Sequence, residues 1–175
     1  MEAKDVIQLL RLQRHDLMND LQIVHGYLSM GKTDKVKSKV NNIIDNLNQE
    51  RKLMNINCPK FALWLIQVKL HHKHIQFTYD IHTENKNLLS YDGTLKEIGT
   101  TIIDYIIASK LDEITGDLQV INNNNSIDLV MTVTSQTIDY NAWKNHLAEK
   151  LKNVLIQSEE LETKVRFIFS IPSAD

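Results

Sequence analysis

The chain has 175 residues, room for one domain or two small ones, and its 42% hydrophobic and 24% charged content is that of a globular protein. A net charge of −2 provides no basic field to recruit nucleic acid or an anionic membrane. Cys58 is the single cysteine, which excludes an intrachain disulfide and fits a reducing compartment. Met1-Glu2-Ala3-Lys4-Asp5 does not read as a signal peptide, and no apolar run reaches the ~20 residues of a membrane span, so a cytoplasmic protein is expected.

The first predicted helix runs from Lys4 to Met30, with Leu10, Leu17, Leu21, Val24 and Leu28 on one apolar stripe. Gly31 is the expected stop, and Thr33 is the expected cap of a second helix. That helix carries Val36, Val40, Ile43, Leu47 and Met54 at helical spacing and ends before Asn57-Cys58-Pro59, where proline disfavours helical geometry at Cys58. A turn this short makes the two helices antiparallel neighbours. One hairpin cannot bury both stripes, so two copies are expected to form a four-helix bundle, making the protein a homodimer.

Beyond Pro59 the pattern changes, and the chain divides into 1–57 and 58–175. Phe61 to Lys69 reads as an apolar helix, and His74 to His82 as a strand with Ile75, Phe77, Tyr79 and Ile81 on one face. Tyr91 to Leu111 reads as a helix, and two strands follow, Asp117 to Ile121 and Ile127 to Thr134, joined by an asparagine turn. A helix starting at Asp139 or Asn141 and containing Trp143, Leu147, Leu151 and Val154 precedes a last strand, Lys164 to Ile171. The expected fold is α+β, a helical hairpin followed by a two-layer α/β sandwich.

The chemistry concentrates in Arg14-His15-Asp16-Leu17-Met18-Asn19-Asp20-Leu21-Gln22. His15 lies about 140° round the helix from the apolar stripe, so it faces outward, with Asn19, Gln22 and Gly26 on its side. An exposed neutral imidazole is a nucleophile when one nitrogen is free and the other is held. Asp16 is the candidate to hold it. Arg14 is suited to phosphate oxygens, Asn19 can donate to an incoming oxygen or position a water, and Gly26 leaves a flat surface for a docking partner. A solvated polar helix face is the competing interpretation.

Arg14-His15-Asp16-Leu17-Met18-Asn19-Asp20-Leu21-Gln22-Ile23, followed by Gly26 and Leu28, closely resembles the phosphoacceptor helix of the sporulation initiation phosphotransferase B family. The His-Asp-x-x-Asn-x-Leu core is shared with citrate- and malate-type sensor kinases, and the resemblance in layout extends over nearly the whole chain. It implies a phosphorelay that controls sporulation initiation. His15 would take a phosphoryl group from the aspartate of an upstream single-domain response regulator and pass it to a downstream response-regulator transcription factor. Arg14, Asp16, Asn19, Gln22 and Gly26 would have supporting or docking roles, and magnesium would be supplied by the partner regulator. The C-terminal part would resemble a degenerate kinase ATP-binding domain. Asp104 and Tyr105 stand where Asn-Ala would be expected, and no Asp-x-Gly-x-Gly pattern supplies phosphate-cradling turns, so ATP use is not expected. The alternatives are a sensor histidine kinase core that uses ATP, or a dimeric scaffold that binds response regulators without chemistry.

Other residues read more plainly. His71-His72-x-His74 fits a solvated helix end better than a metal site, Trp64 and Trp143 fit core anchors, and His25 fits a partly exposed bundle position. Cys58 has no histidine partner nearby in sequence, and Glu159, Glu160 and Glu162 fit a solvated charged loop.

Overall fold

The computed structural model describes residues 3–72, 75–83, 87–109, 114–123, 125–134, 139–162 and 164–172. It divides into two compact units, Met1–Arg51 and Lys52–Asp175. The first is an antiparallel hairpin of α1 (Ala3–Ser29) and α2 (Thr33–Asn55). Gly31 makes the turn at φ +67°, a conformation that costs glycine nothing. Thr33 is the first residue of α2 rather than its cap.

The face of α1 that meets α2 differs from the leucine stripe. Gln13, Asp20 and Tyr27, one heptad apart, reach Glu50, Lys39 and Lys35 of α2, and Val6, Leu9 and Val24 lie half-buried beside them. Leu10, Leu17, Leu21 and Leu28 remain about half exposed, as do Ile44 and Leu47 on α2. Each helix is therefore apolar on more surface than the hairpin covers.

The second unit begins inside α2, because Leu53 and Ile56 are fully buried in its core. Asn57 then turns the chain at φ 55°, which asparagine tolerates, and Pro59 opens α3 (Pro59–His71). After β1 (Ile75–Ile81) and a 3-10 turn (Leu89–Tyr91) come α4 (Asp92–Ala108), β2 (Ile114–Asn122) and β3 (Ser126–Thr134). The chain finishes with α5 (Tyr140–Lys150), β4 (Leu155–Leu161) and β5 (Lys164–Pro172). The five strands form one sheet in the order β1-β2-β3-β5-β4. β1 and β2 pair in parallel, with α4 in the connection between them, and the other pairs are antiparallel. Burial alternates along β2, β3 and β5, so one sheet face is covered and the other open. The α+β architecture is thus a helical hairpin followed by a mixed α/β unit.

Three local expectations are corrected. Glu159 and Glu160 belong to β4, an edge strand with no buried residue, rather than to a loop. α5 ends at Lys150, so Leu151 is its C-cap and Val154 lies beyond it. α4 ends at Ala108, and Leu111 falls outside the described residues. Asp139 is the N-cap of α5, its carboxylate accepting from the Ala142 amide at 2.9 Å.

Asp92 was not singled out from sequence. It is buried, and its carboxylate accepts from the backbone amides of Lys60 (3.1 Å) and Phe61 (2.8 Å). It therefore caps α3 from the first turn of α4, where Cys58 makes no side-chain cap of its own.

Candidate functional site

His15 stands on the middle of α1, its side chain 62% exposed. Asp16 Oδ1 lies 3.4 Å from its Nδ1, so the adjacent carboxylate does reach the ring despite the ~100° between neighbouring helix positions. Asn19, one turn on, brings its amide nitrogen to 3.2 Å from the same Nδ1. Both groups engage one ring nitrogen, and among the described residues Nε2 has no hydrogen-bond partner. Nε2 thus faces solvent, and it has the free lone pair that a nitrogen nucleophile needs when the proton sits on Nδ1 toward Asp16.

The structure does not bring the remaining candidates to the ring. Arg14 and Gln22 are exposed and make no hydrogen bond to His15. Gly26 lies further along α1, and a Cβ built there meets no atom within 4 Å, which leaves that stretch of helix flat. Two contacts unassigned from sequence brace the hairpin around the site: Asp20 with Lys39 at 2.6 Å, and Gln13 with Glu50 at 3.1 Å. Their sequence signal was the heptad spacing of Gln13, Asp20 and Tyr27 on a face more polar than the leucine stripe.

In the second unit, Asp104 is exposed on α4. The adjacent Tyr105 ring stacks on Trp143 of α5, with centroids 5.3 Å apart, and touches His146 at 5.1 Å. Gly99 packs under Trp64 and Gly116 under Phe77, so neither presents an open backbone cradle. Among the described residues, no three His, Cys, Asp or Glu side chains gather as metal ligands. His71 is exposed, while His74 lies outside the described residues.

Cys58 is buried, and its thiol donates to the Leu88 carbonyl at 3.1 Å. Burial, with a smaller contribution from the Asp92 charge, pushes the thiol up to about 12, so it is inert as a nucleophile. Trp64 and Trp143 are buried core residues, and His25 is exposed.

Residues 1–56 match the family described as Sensor_kinase_SpoOB-type, alpha-helical domain. Sporulation initiation phosphotransferase B of Bacillus subtilis (strain 168) is 31% identical over 96 residues, which is 55% of this chain. The chain covers 50% of that relative's length. Among solved structures, the catalytic domain of histidine kinase ThkA overlaps 69% of this chain and 92% of its own, at 12% identity and a TM-score of 0.49. Acinetobacter baumannii histidine kinase AdeS overlaps 90% of this chain and 97% of its own, at 14% identity and a TM-score of 0.45. The expectation that resemblance to the phosphotransferase B family runs over nearly the whole chain is corrected. The family match stops at residue 56 and the curated relative aligns with about half of each chain. The chain is a helical hairpin followed by a mixed α/β unit, and the family match covers the hairpin.

Proposed function

We propose that this chain is a two-component phosphotransfer protein of histidine-kinase-core layout in which His15 carries the phosphoryl group. The observation that carries this reading is the exposed His15 ring, with Asp16 and Asn19 both within reach of Nδ1 and, among the described residues, no hydrogen-bond partner at Nε2. Nε2 attacks phosphorus in line with the departing oxygen, and Asp16 stabilises the imidazolium that develops. The partner is a response regulator, and the uncovered leucines of α1 and α2 support a homodimer built through the hairpin.

The layout of hairpin and α/β unit favours the kinase reading, in which ATP is the phosphoryl donor. A second reading, exchange with the aspartyl phosphate of a response regulator that brings its own magnesium, is favoured by α4, where Tyr105 is engaged by Trp143 and Gly99 is packed under the Trp64 ring. Offering labelled phosphate separately from ATP with magnesium and from a phosphorylated regulator separates the two. A scaffold without chemistry would keep its effect in His15→Ala, whereas a phosphotransfer protein loses it.

A further inference from the structure

We propose that Asn19 is a positioning residue that holds His15 in its unreactive tautomer until the amide is drawn away, an inference that rests on His15 being the phosphoacceptor. Asp16 Oδ1 at 3.4 Å and Asn19 Nδ2 at 3.2 Å converge on the same Nδ1, and their demands on it are opposite. A carboxylate only accepts, so contact with Asp16 needs a proton on Nδ1 and leaves the Nε2 lone pair free. An amide NH₂ only donates, so contact with Asn19 needs Nδ1 bare. The proton of the neutral ring then sits on Nε2, and the outward nitrogen has no lone pair to attack with.

The Asn19 contact is the shorter of the two, and the Asp16 contact lies at the outer limit of hydrogen bonding. Asn19 is at i+4, so the helix itself keeps its amide beside the ring whichever rotamer Asp16 adopts. The ring is also exposed, so its proton exchanges through water as the contacts change. The result is a two-position device. With Asn19 seated, Nε2 is masked. When a partner's acceptor, such as a phosphoryl oxygen, takes the Asn19 amide, Nδ1 passes to Asp16 and Nε2 becomes the nucleophile. Asn19 thereby couples the arrival of a phosphoryl group to the unmasking of the atom that receives it.

The test uses ¹⁵N-histidine spectra of the full chain and phosphoramidate, a small donor that needs neither ATP nor a partner protein. In that reaction the Nε2 lone pair forms a bond to phosphorus as the phosphorus–ammonia bond breaks. The ring loses its Nδ1 proton, and the leaving group departs as ammonium. At a pH where the ring is neutral, wild-type His15 is expected to show mainly the Nε2–H pattern. Asn19→Ala removes the donor and Asn19→Asp can only accept. Both should move His15 to the Nδ1–H pattern and raise Nε2 phosphorylation by phosphoramidate several-fold. A wild-type His15 already in the Nδ1–H form, or variants with unchanged spectra and equal or slower phosphorylation, would overturn the proposal. Neither readout involves a physiological donor. A tautomer shift without transfer from ATP or a regulator would therefore count against the functional reading and not against Asn19.

Discussion

The ring of Tyr105 lies parallel to that of Trp143, with an interplanar angle of 8° and centroids 5.3 Å apart, and the pair joins α4 to α5. Trp143 is fully buried and also meets Phe167 of β5 edge-on, so one side chain ties both helices to the sheet. Trp143→Ala is expected to cost the C-terminal unit about 3–5 kcal/mol. Urea unfolding followed by circular dichroism checks this, and a loss below 1 kcal/mol would show that the stack contributes little.

The glycines divide by what surrounds them. A Cβ at Gly99 would strike the Trp64 ring, so Gly99→Ala should destabilise by about 1–3 kcal/mol. Gly26 has open space within a helix interior, so Gly26→Ala should stabilise the hairpin by about 0.5–1 kcal/mol. If the flat stretch at Gly26 receives a regulator, the same substitution weakens regulator binding while raising the melting temperature. Calorimetry and a binding titration on one variant read both effects.

Cys58 makes alkaline stability predictable. Its thiol is neutral when protonated, and folding raises its pKa from 9.0 to about 12. The unfolded chain ionises first, so this contribution to stability is intact below pH 9 and declines as the pH rises toward 12. Cys58→Ala should remove that decline, as measured by denaturation midpoints across the range. In the native protein the thiol should resist a maleimide at pH 8 and react promptly once unfolded.

The uncovered leucines of the hairpin predict self-association. Sedimentation equilibrium should give a dimer for the wild type and a monomer for Leu17→Asp combined with Leu21→Asp, with helical content retained. A wild-type monomer at micromolar concentration would remove the bundle from the account.

Much of this molecule was legible in its sequence, for identifiable reasons. Gly31 and the helical spacing on either side of it define the hairpin, and strict alternation in Ile127, Leu129, Met131 and Val133 defines β3. β4 was not legible, because an edge strand with glutamates at 159 and 160 buries nothing and so carries no periodic signal. Of the apolar stripe read on α1, Val24 is half-buried in the hairpin while Leu10, Leu17, Leu21 and Leu28 stay exposed, as expected of stripes that one hairpin cannot bury. The face that meets α2 carries Gln13 and Asp20, whose contacts are polar. Asn19 could be placed beside His15 from the i+4 rule, whereas the Asp16 contact depends on rotamers that spacing does not specify. The Asp92 cap on α3 joins positions 31 and 32 residues apart, which no local pattern announces.

The most direct test of the account offers labelled phosphate to wild type and His15→Ala, from ATP with magnesium and, separately, from an aspartyl-phosphorylated response regulator. Acid-labile, base-stable label on the wild type from at least one donor, and none on His15→Ala, is the predicted result. A folded wild type that takes no label from either donor, or a His15→Ala variant labelled as fully as wild type, would contradict it.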